Sequence, residues 1–255
     1  MPIVGDLFYH KYEGAPLGKT PPIVLIHGAG GNHLYWPPQL RRLPGYRVYA
    51  IDLPGHGHSG GTGQQTIASY ASTILKWMEN IDLHSAVFLG HSMGSAITLS
   101  LALEHPEHVL GLGLLGGGAR MKVNPTLIEQ TSSSTTFHNA VEALITWSFA
   151  PQTPPELVQL ASQRLAETRH SVLHADLIAC EAFDLEERIS EIKQPTIIIV
   201  GDQDKMMPVR QSQILSNSIP NAQLAIIPGA GHMVMLEQPQ AVSEVLRQFL
   251  SQIPY

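Results

Sequence analysis

The chain has 255 residues, 44% apolar and 14% charged, with a formal net charge of −6, proportions that suit one globular domain with a substantial core. The absence of any basic run argues against a nucleic-acid partner, since phosphate binding draws on clustered Lys and Arg. Cys180 is the only cysteine, which excludes an internal disulfide; in a helical-looking segment it reads as a small buried residue.

The first residues, Met-Pro-Ile-Val-Gly-Asp, form neither a charged leader nor the apolar run of a signal peptide. No apolar stretch reaches the roughly 18 residues needed to cross a bilayer. The expectation is a cytoplasmic protein with no membrane partner. Residues 14–20, Gly-Ala-Pro-Leu-Gly-Lys-Thr, resemble a phosphate-binding loop but have one residue too few between the glycines. Pro21, Pro22 and then a strand follow where a helix would have to open, so the match is rejected.

Apolar runs containing β-branched residues predict strands at 23–26, 46–51, 86–89, 109–115, 196–200 and 223–227. Helical periodicity lies between them, at 67–78, at 95–103 and, after Pro239, in Val242, Val245, Leu246, Phe249 and Leu250. That alternation predicts an α/β domain with a mostly parallel central sheet flanked by helices. Gly111, Gly113 and Gly116 match a dinucleotide-binding spacing, but they lie inside a strand rather than in the turn after one, and are read as packing residues.

The rhythm breaks over 117–192. Phe137, Val141, Leu144, Ile145 and Phe149 fall at helical spacing, as do Leu157, Leu160, Ala161 and Leu165 after Pro154 and Pro155; residues 131–136 read as a loop. The prediction is a single domain, 1–255, with a small helical cap over 117–192 inserted before the strand at 196–200. His170 and His174 stand four apart, as a zinc pair would, yet Ser171 replaces the Glu of such a motif and no third ligand is evident. No metal and no cofactor are expected.

Gly90-His91-Ser92-Met93-Gly94 sits between a predicted strand and a predicted helix, the setting a G-x-S-x-G turn requires. Small flanking residues let the chain turn sharply and expose the serine hydroxyl above the sheet, at the positive end of a helix. A hydroxyl needs a base. Among thirteen histidines, His232 follows Gly229-Ala230-Gly231 after the last strand, at the same sheet edge; His91 is less suitable because neighbours at a sharp turn point apart. Asp202 and Asp204 both leave the strand at 196–200. Asp204, farther into the loop, is chosen to orient His232, and Asp202 reads as a turn residue. The glycine-rich segment His27-Gly28-Ala29-Gly30-Gly31 and the turn after Ser92 supply the expected oxyanion donors, the backbone N–H groups of Ala29 and Met93; His27 is expected to hydrogen-bond beneath that loop.

The order Ser92, Asp204, His232, together with 27–31, Asp52-Leu53-Pro54-Gly55-His56-Gly57-His58-Ser59, 201–208 and 229–239, resembles the α/β-hydrolase fold superfamily over nearly the whole chain outside 117–192. The resemblance implies the α/β-hydrolase fold and is nearest to small, capped serine carboxylesterases, with Asp52 to Ser59 shaping the floor of the site. Ser95 stands where many relatives have glycine, and the oxyanion loop lacks three consecutive glycines. A serine nucleophile argues against the haloalkane dehalogenase and epoxide hydrolase branches. The expected activity is hydrolysis of a small-molecule carboxylic ester through an acyl-enzyme on Ser92. Thioesterases, lactonases, carbon–carbon hydrolases and non-enzymatic small-ligand receptors of this fold remain alternatives.

Overall fold

The strands, in chain order, are β1 (Ile3–Val4), β2 (Leu7–Glu13), β3 (Ile23–Ile26), β4 (Arg47–Ile51), β5 (Ala86–His91), β6 (Val109–Leu115), β7 (Thr196–Gly201) and β8 (Ala222–Ile227). They form one sheet in the order β1-β2-β4-β3-β5-β6-β7-β8. β1 and β2 pair antiparallel, β2 joins β4 antiparallel, and every pairing from β4 to β8 is parallel. The computed structural model describes residues 3–16 and 18–255. Met1 and Pro2 of the leader reading, and Leu17 of the rejected phosphate-loop match, lie outside them.

The helices are α1 (Pro38–Arg41), α2 (Ile67–Asn80), α3 (Met93–Glu104), α4 (Pro125–Thr131), α5 (Phe137–Ser148), α6 (Pro155–Ala166), α7 (His170–Glu181), α8 (Val209–Ser218), α9 (Val234–Glu237) and α10 (Pro239–Leu250). Successive side chains of a strand point to opposite faces, so each central strand feeds two cores. Val24, Ile26, Phe88 and Ile198 pack on one face with Ile74 and Trp77 of α2, Ile97 of α3 and Leu215 of α8. Ile23, Leu25, Val87, Leu89, Ile197 and Ile199 pack on the other with Leu40 of α1 and Val242, Leu246 and Phe249 of α10. Burial on both faces is why these strands read as unbroken apolar runs.

Two elements differ from expectation. The sequence reading found no strand before Ile23, yet β1 and β2 close that edge of the sheet. β2 buries Leu7, Phe8 and Tyr9 and then alternates outward through Lys11 and Glu13, so its apolar signal fades halfway along. α3 begins at Met93, two residues earlier than predicted, directly after Ser92.

Four helices, α4 to α7, fill the chain between β6 and β7, the stretch for which a cap is predicted. They share a third apolar cluster of Leu127, Ala140, Val141, Leu144, Leu165, Leu173 and Leu177. Asn124 caps α4 by accepting the Thr126 amide at 3.0 Å, with Pro125 at the first helical position. His170 and His174 both turn Nδ1 toward α4, at 3.2 Å from the Thr131 carbonyl and 3.0 Å from that of Ile128. Among the described residues no helix is long and apolar enough to cross a membrane.

Candidate active site

Ser92 caps the tight turn between β5 and α3 with φ 53° and ψ −117°, a region that costs a non-glycine residue roughly 1–3 kcal/mol. The flanking glycines make the turn possible. A Cβ on Gly90 would lie 2.1 Å from the Gly94 carbonyl oxygen, and one on Gly94 would lie 2.2 Å from that of Ile26. Gly94→Ala is therefore expected to destabilise the fold by about 3 kcal/mol, read as a lowered urea midpoint. Ser95 donates its hydroxyl to the Gly90 carbonyl at 2.7 Å and so ties the turn from inside.

His232 lies 2% exposed in the loop after β8, with Nδ1 2.9 Å from Asp204 Oδ2. Asp204 Oδ1 accepts the amides of Met206 and Met207 at 2.9 and 2.8 Å. Burial pushes the Asp204 carboxyl up, but the His232 ring and those two amides together outweigh it and hold the group below its usual range. With Nδ1 donating to this carboxylate, Nε2 is left as the acceptor nitrogen of a neutral ring. That Nε2 is buried and has no hydrogen-bond partner among the described residues.

Asp202 departs from the expected local turn contact. It accepts the Gly229 amide at 2.8 Å, across to the loop that carries His232. The His91 ring stands 4.8 Å from that of His232, centroid to centroid. Its Nε2 is 3.0 Å from the His232 carbonyl, and burial, followed by the neighbouring His232, lowers its pKa to about 3. His91 therefore stays neutral and braces the base.

Ala29 sits in a turn closed by Gly31 N–H to Gly28 C=O at 3.1 Å. Neither Ala29 N–H nor Met93 N–H finds an acceptor among the described residues, Met93 because it opens α3. His27 lies beneath this turn, with Nδ1 donating to the Gly28 carbonyl at 2.8 Å and Nε2 accepting the Leu53 amide at 3.0 Å. Burial, then His56, lowers its pKa to about 4. Asp52 is fully buried and accepts the His33 and His58 amides at 2.6 and 2.9 Å, fixing the following loop.

Ser92, His91, His232, Gly28 and Ala29 line one cavity of about 270 Å³. Most of its remaining wall is apolar: Leu144, Phe149, Leu165, Leu177, Met206 and Met207 among others. Lys122 and Lys205 also line it, and no carboxylate among the described residues does. Two further acidic residues, passed over in the sequence, tie α4 to α7 to the loops around this cavity. Glu237 accepts the Gly231 amide beside His232 on one oxygen, and the Ala150 amide and Thr153 hydroxyl on the other, at 2.6–2.9 Å. Asp176 of α7 accepts the Gly30 amide at 2.8 Å. Their sequence positions gave no signal, since all three partners of Asp176 and two of the three of Glu237 lie far along the chain.

An α/β-hydrolase fold family model matches residues 21–239. The putative carbamate hydrolase RutD of a Caulobacter species is 28% identical, with 96% of each chain covered. Among solved structures, a thermophilic esterase is 32% identical at a TM-score of 0.82, covering 96% of this chain and 99% of its own. The enol-lactonase of Burkholderia xenovorans is 25% identical at a TM-score of 0.89, with 96% of each chain covered. Matched by that family model over residues 21–239, most of its length, the chain belongs to the α/β-hydrolase fold family.

Proposed function

We propose that the protein is a serine hydrolase of carboxylic esters that acts through an acyl-enzyme on Ser92. The observation that carries this reading is the unpartnered, buried Nε2 of His232 on the same cavity as the strained Ser92, with Asp204 held behind Nδ1. His232 Nε2 takes the Ser92 proton as the hydroxyl oxygen attacks the ester carbonyl. The oxyanion is met by the N–H groups of Ala29 and Met93. Collapse of the tetrahedral species expels the alcohol, which receives its proton from His232. Water, deprotonated by the same ring, then attacks the acyl-serine, and the acid leaves with Ser92 reprotonated. The reaction is complete with the chain's own residues.

In this reading the helices between β6 and β7 act as a cap whose apolar inner wall selects the substrate. The names of the similar thermophilic esterase and enol-lactonase point to the same bond class. The similarity to a putative carbamate hydrolase makes carbamates the second reading, since they too present a trigonal carbonyl to the serine. The test is a p-nitrophenyl ester series from C2 to C12, with aryl carbamates alongside. A mostly apolar pocket of this size should favour acyl chains of about four to eight carbons. Because its charged wall residues are Lys122 and Lys205, choline butyrate should be turned over more slowly than its neutral 3,3-dimethylbutyl counterpart. Turnover of carbamates alone would replace the ester reading with the second; no turnover of either would overturn both.

A further inference from the structure

Asp176 is a buried carboxylate that accepts three hydrogen bonds. It lies on α7, fully buried, and gathers donors from three other parts of the chain. Oδ2 accepts the Gly30 amide and His56 Nε2, each at 2.8 Å. Oδ1 accepts the Tyr70 hydroxyl of α2. The Gly30 peptide is held on its other side as well, because the Thr168 hydroxyl, two residues before α7, donates to the Gly30 carbonyl at 2.8 Å. Gly30 itself has φ +66°, and a Cβ there would lie 2.6 Å from Leu165 Cδ1 and 3.1 Å from Leu173 Cδ1. The inserted helices thus grip Gly30 at its N–H, its C=O and its bare Cα.

The Ala29 N–H belongs to the peptide plane just before the one that carries the Gly30 N–H. Planar peptides leave only the two Ala29 dihedrals between those amides, so fixing the second restricts where the first can aim. We propose that Asp176, with Thr168, is a positioning latch: docking of α7 sets the Gly30 peptide and thereby aims the Ala29 amide into the oxyanion site, so that cap closure and assembly of the oxyanion hole are one event. The proposal rests on the serine hydrolase reading for its catalytic consequence, though not for the latch itself.

His56 completes the latch. Its Nδ1 lies 3.0 Å from the Pro54 carbonyl and its Nε2 2.8 Å from Asp176. Both neighbours are acceptors, so both nitrogens must carry protons and the ring is an imidazolium paired with the carboxylate. Burial alone would lower the pKa, but Asp176 and the Pro54 carbonyl outweigh it and raise it above the ordinary histidine value. The other titratable groups around this pair are His27, whose ring lies 4.8 Å away, Tyr70 of α2, Asp52, and Cys180 one turn along α7. For a group whose folded pKa is raised, the stabilisation is fully present below the unfolded value and is lost as pH rises through the folded one. The His56 contribution to the latch is therefore full below the ordinary histidine value and is lost as pH rises through the raised one.

On p-nitrophenyl butyrate, Asp176→Asn is expected to lower kcat by about 10–100-fold while KM changes less than about threefold, because a misaimed oxyanion donor acts on the transition state. Thr168→Val, at a half-buried position, should lower kcat about three- to tenfold in the same pattern. Both variants should speed amide hydrogen exchange at Gly30 and along α7 while α3 and β5 keep wild-type protection. A raised KM with unchanged kcat, or wild-type Gly30 exchange in Thr168→Val, would reduce these contacts to packing and overturn the proposal. If Asp176→Asn does not fold, Thr168→Val and a wild-type pH series decide. Corrected for its intrinsic base dependence, protection of Gly30 and α7 should then be lost together with rising pH, before that of α3. Protection that persists until α3 opens overturns the latch. A wild type that turns over neither esters nor carbamates sinks the hydrolase reading instead, and hydrogen exchange then judges the latch by itself.

Discussion

Ser92→Ala is expected to lower kcat on a p-nitrophenyl ester by about 10⁶-fold, with a residual rate above that in water from oxyanion donors and substrate binding. Stability should move by less than about 0.5 kcal/mol. The Ser92 side chain makes no capping hydrogen bond to α3, and His232 Nε2, on the same cavity, has no hydrogen-bond partner to lose. Alanine also keeps the same positive-φ strain, so the variant separates chemistry from folding. Steady-state kinetics beside a urea unfolding curve measures both. Full turnover in a folded Ser92→Ala protein would move the nucleophile elsewhere and undo the mechanism.

Asp204→Asn is expected to cost about 10⁴-fold in kcat by a different route. Asp204 Oδ1 accepts two backbone amides, so the new side chain must keep its carbonyl oxygen there. Its NH2 group then faces His232 Nδ1, where Oδ2 now accepts. A donor in that place requires Nδ1 to be an acceptor and moves the ring proton to Nε2, which can no longer take the proton of Ser92. The defect should therefore fall on kcat with KM nearly intact. It should fall equally on acylation by a phosphonate probe, which also needs an activated serine. Rapid phosphonylation of Ser92 in this variant would show that the carboxylate does not control the tautomer.

Sequence patterns report what recurs at short range. The central strands were legible because both faces are buried, leaving no polar residue to interrupt Ile23 to Ile26 or Thr196 to Gly201. The turn at Ser92 was legible because its steric demands fall on immediate neighbours, Gly90 and Gly94. His232 and Asp204 could be chosen from position alone, since parallel strands deliver their following loops to one sheet edge. β2 was missed because an antiparallel edge strand with one solvated face mixes Lys11 and Glu13 into its apolar run. Asp176 was missed for another reason. Within α7 it is one polar residue among several, and only folding reveals that Gly30, His56 and Tyr70 surround it. A buried carboxylate is defined by its partners, and these come from distant segments.

The inserted helices leave the sheet after β6 and return before β7, so much of the cavity wall is encoded in a stretch separate from Ser92, Asp204 and His232. Such an arrangement invites exchange: a graft of residues 117–192 from another family member would remake that part of the wall while leaving Ser92, Asp204 and His232 in place. The contacts of Asp176 set the condition for compatibility. A graft without an acid facing Gly30 would strand the buried imidazolium of His56 and the hydroxyl of Tyr70, and a buried charge without its partner costs several kcal/mol. Interchangeable lids on this scaffold must therefore carry a carboxylate at that one point, however much the rest of their lining varies.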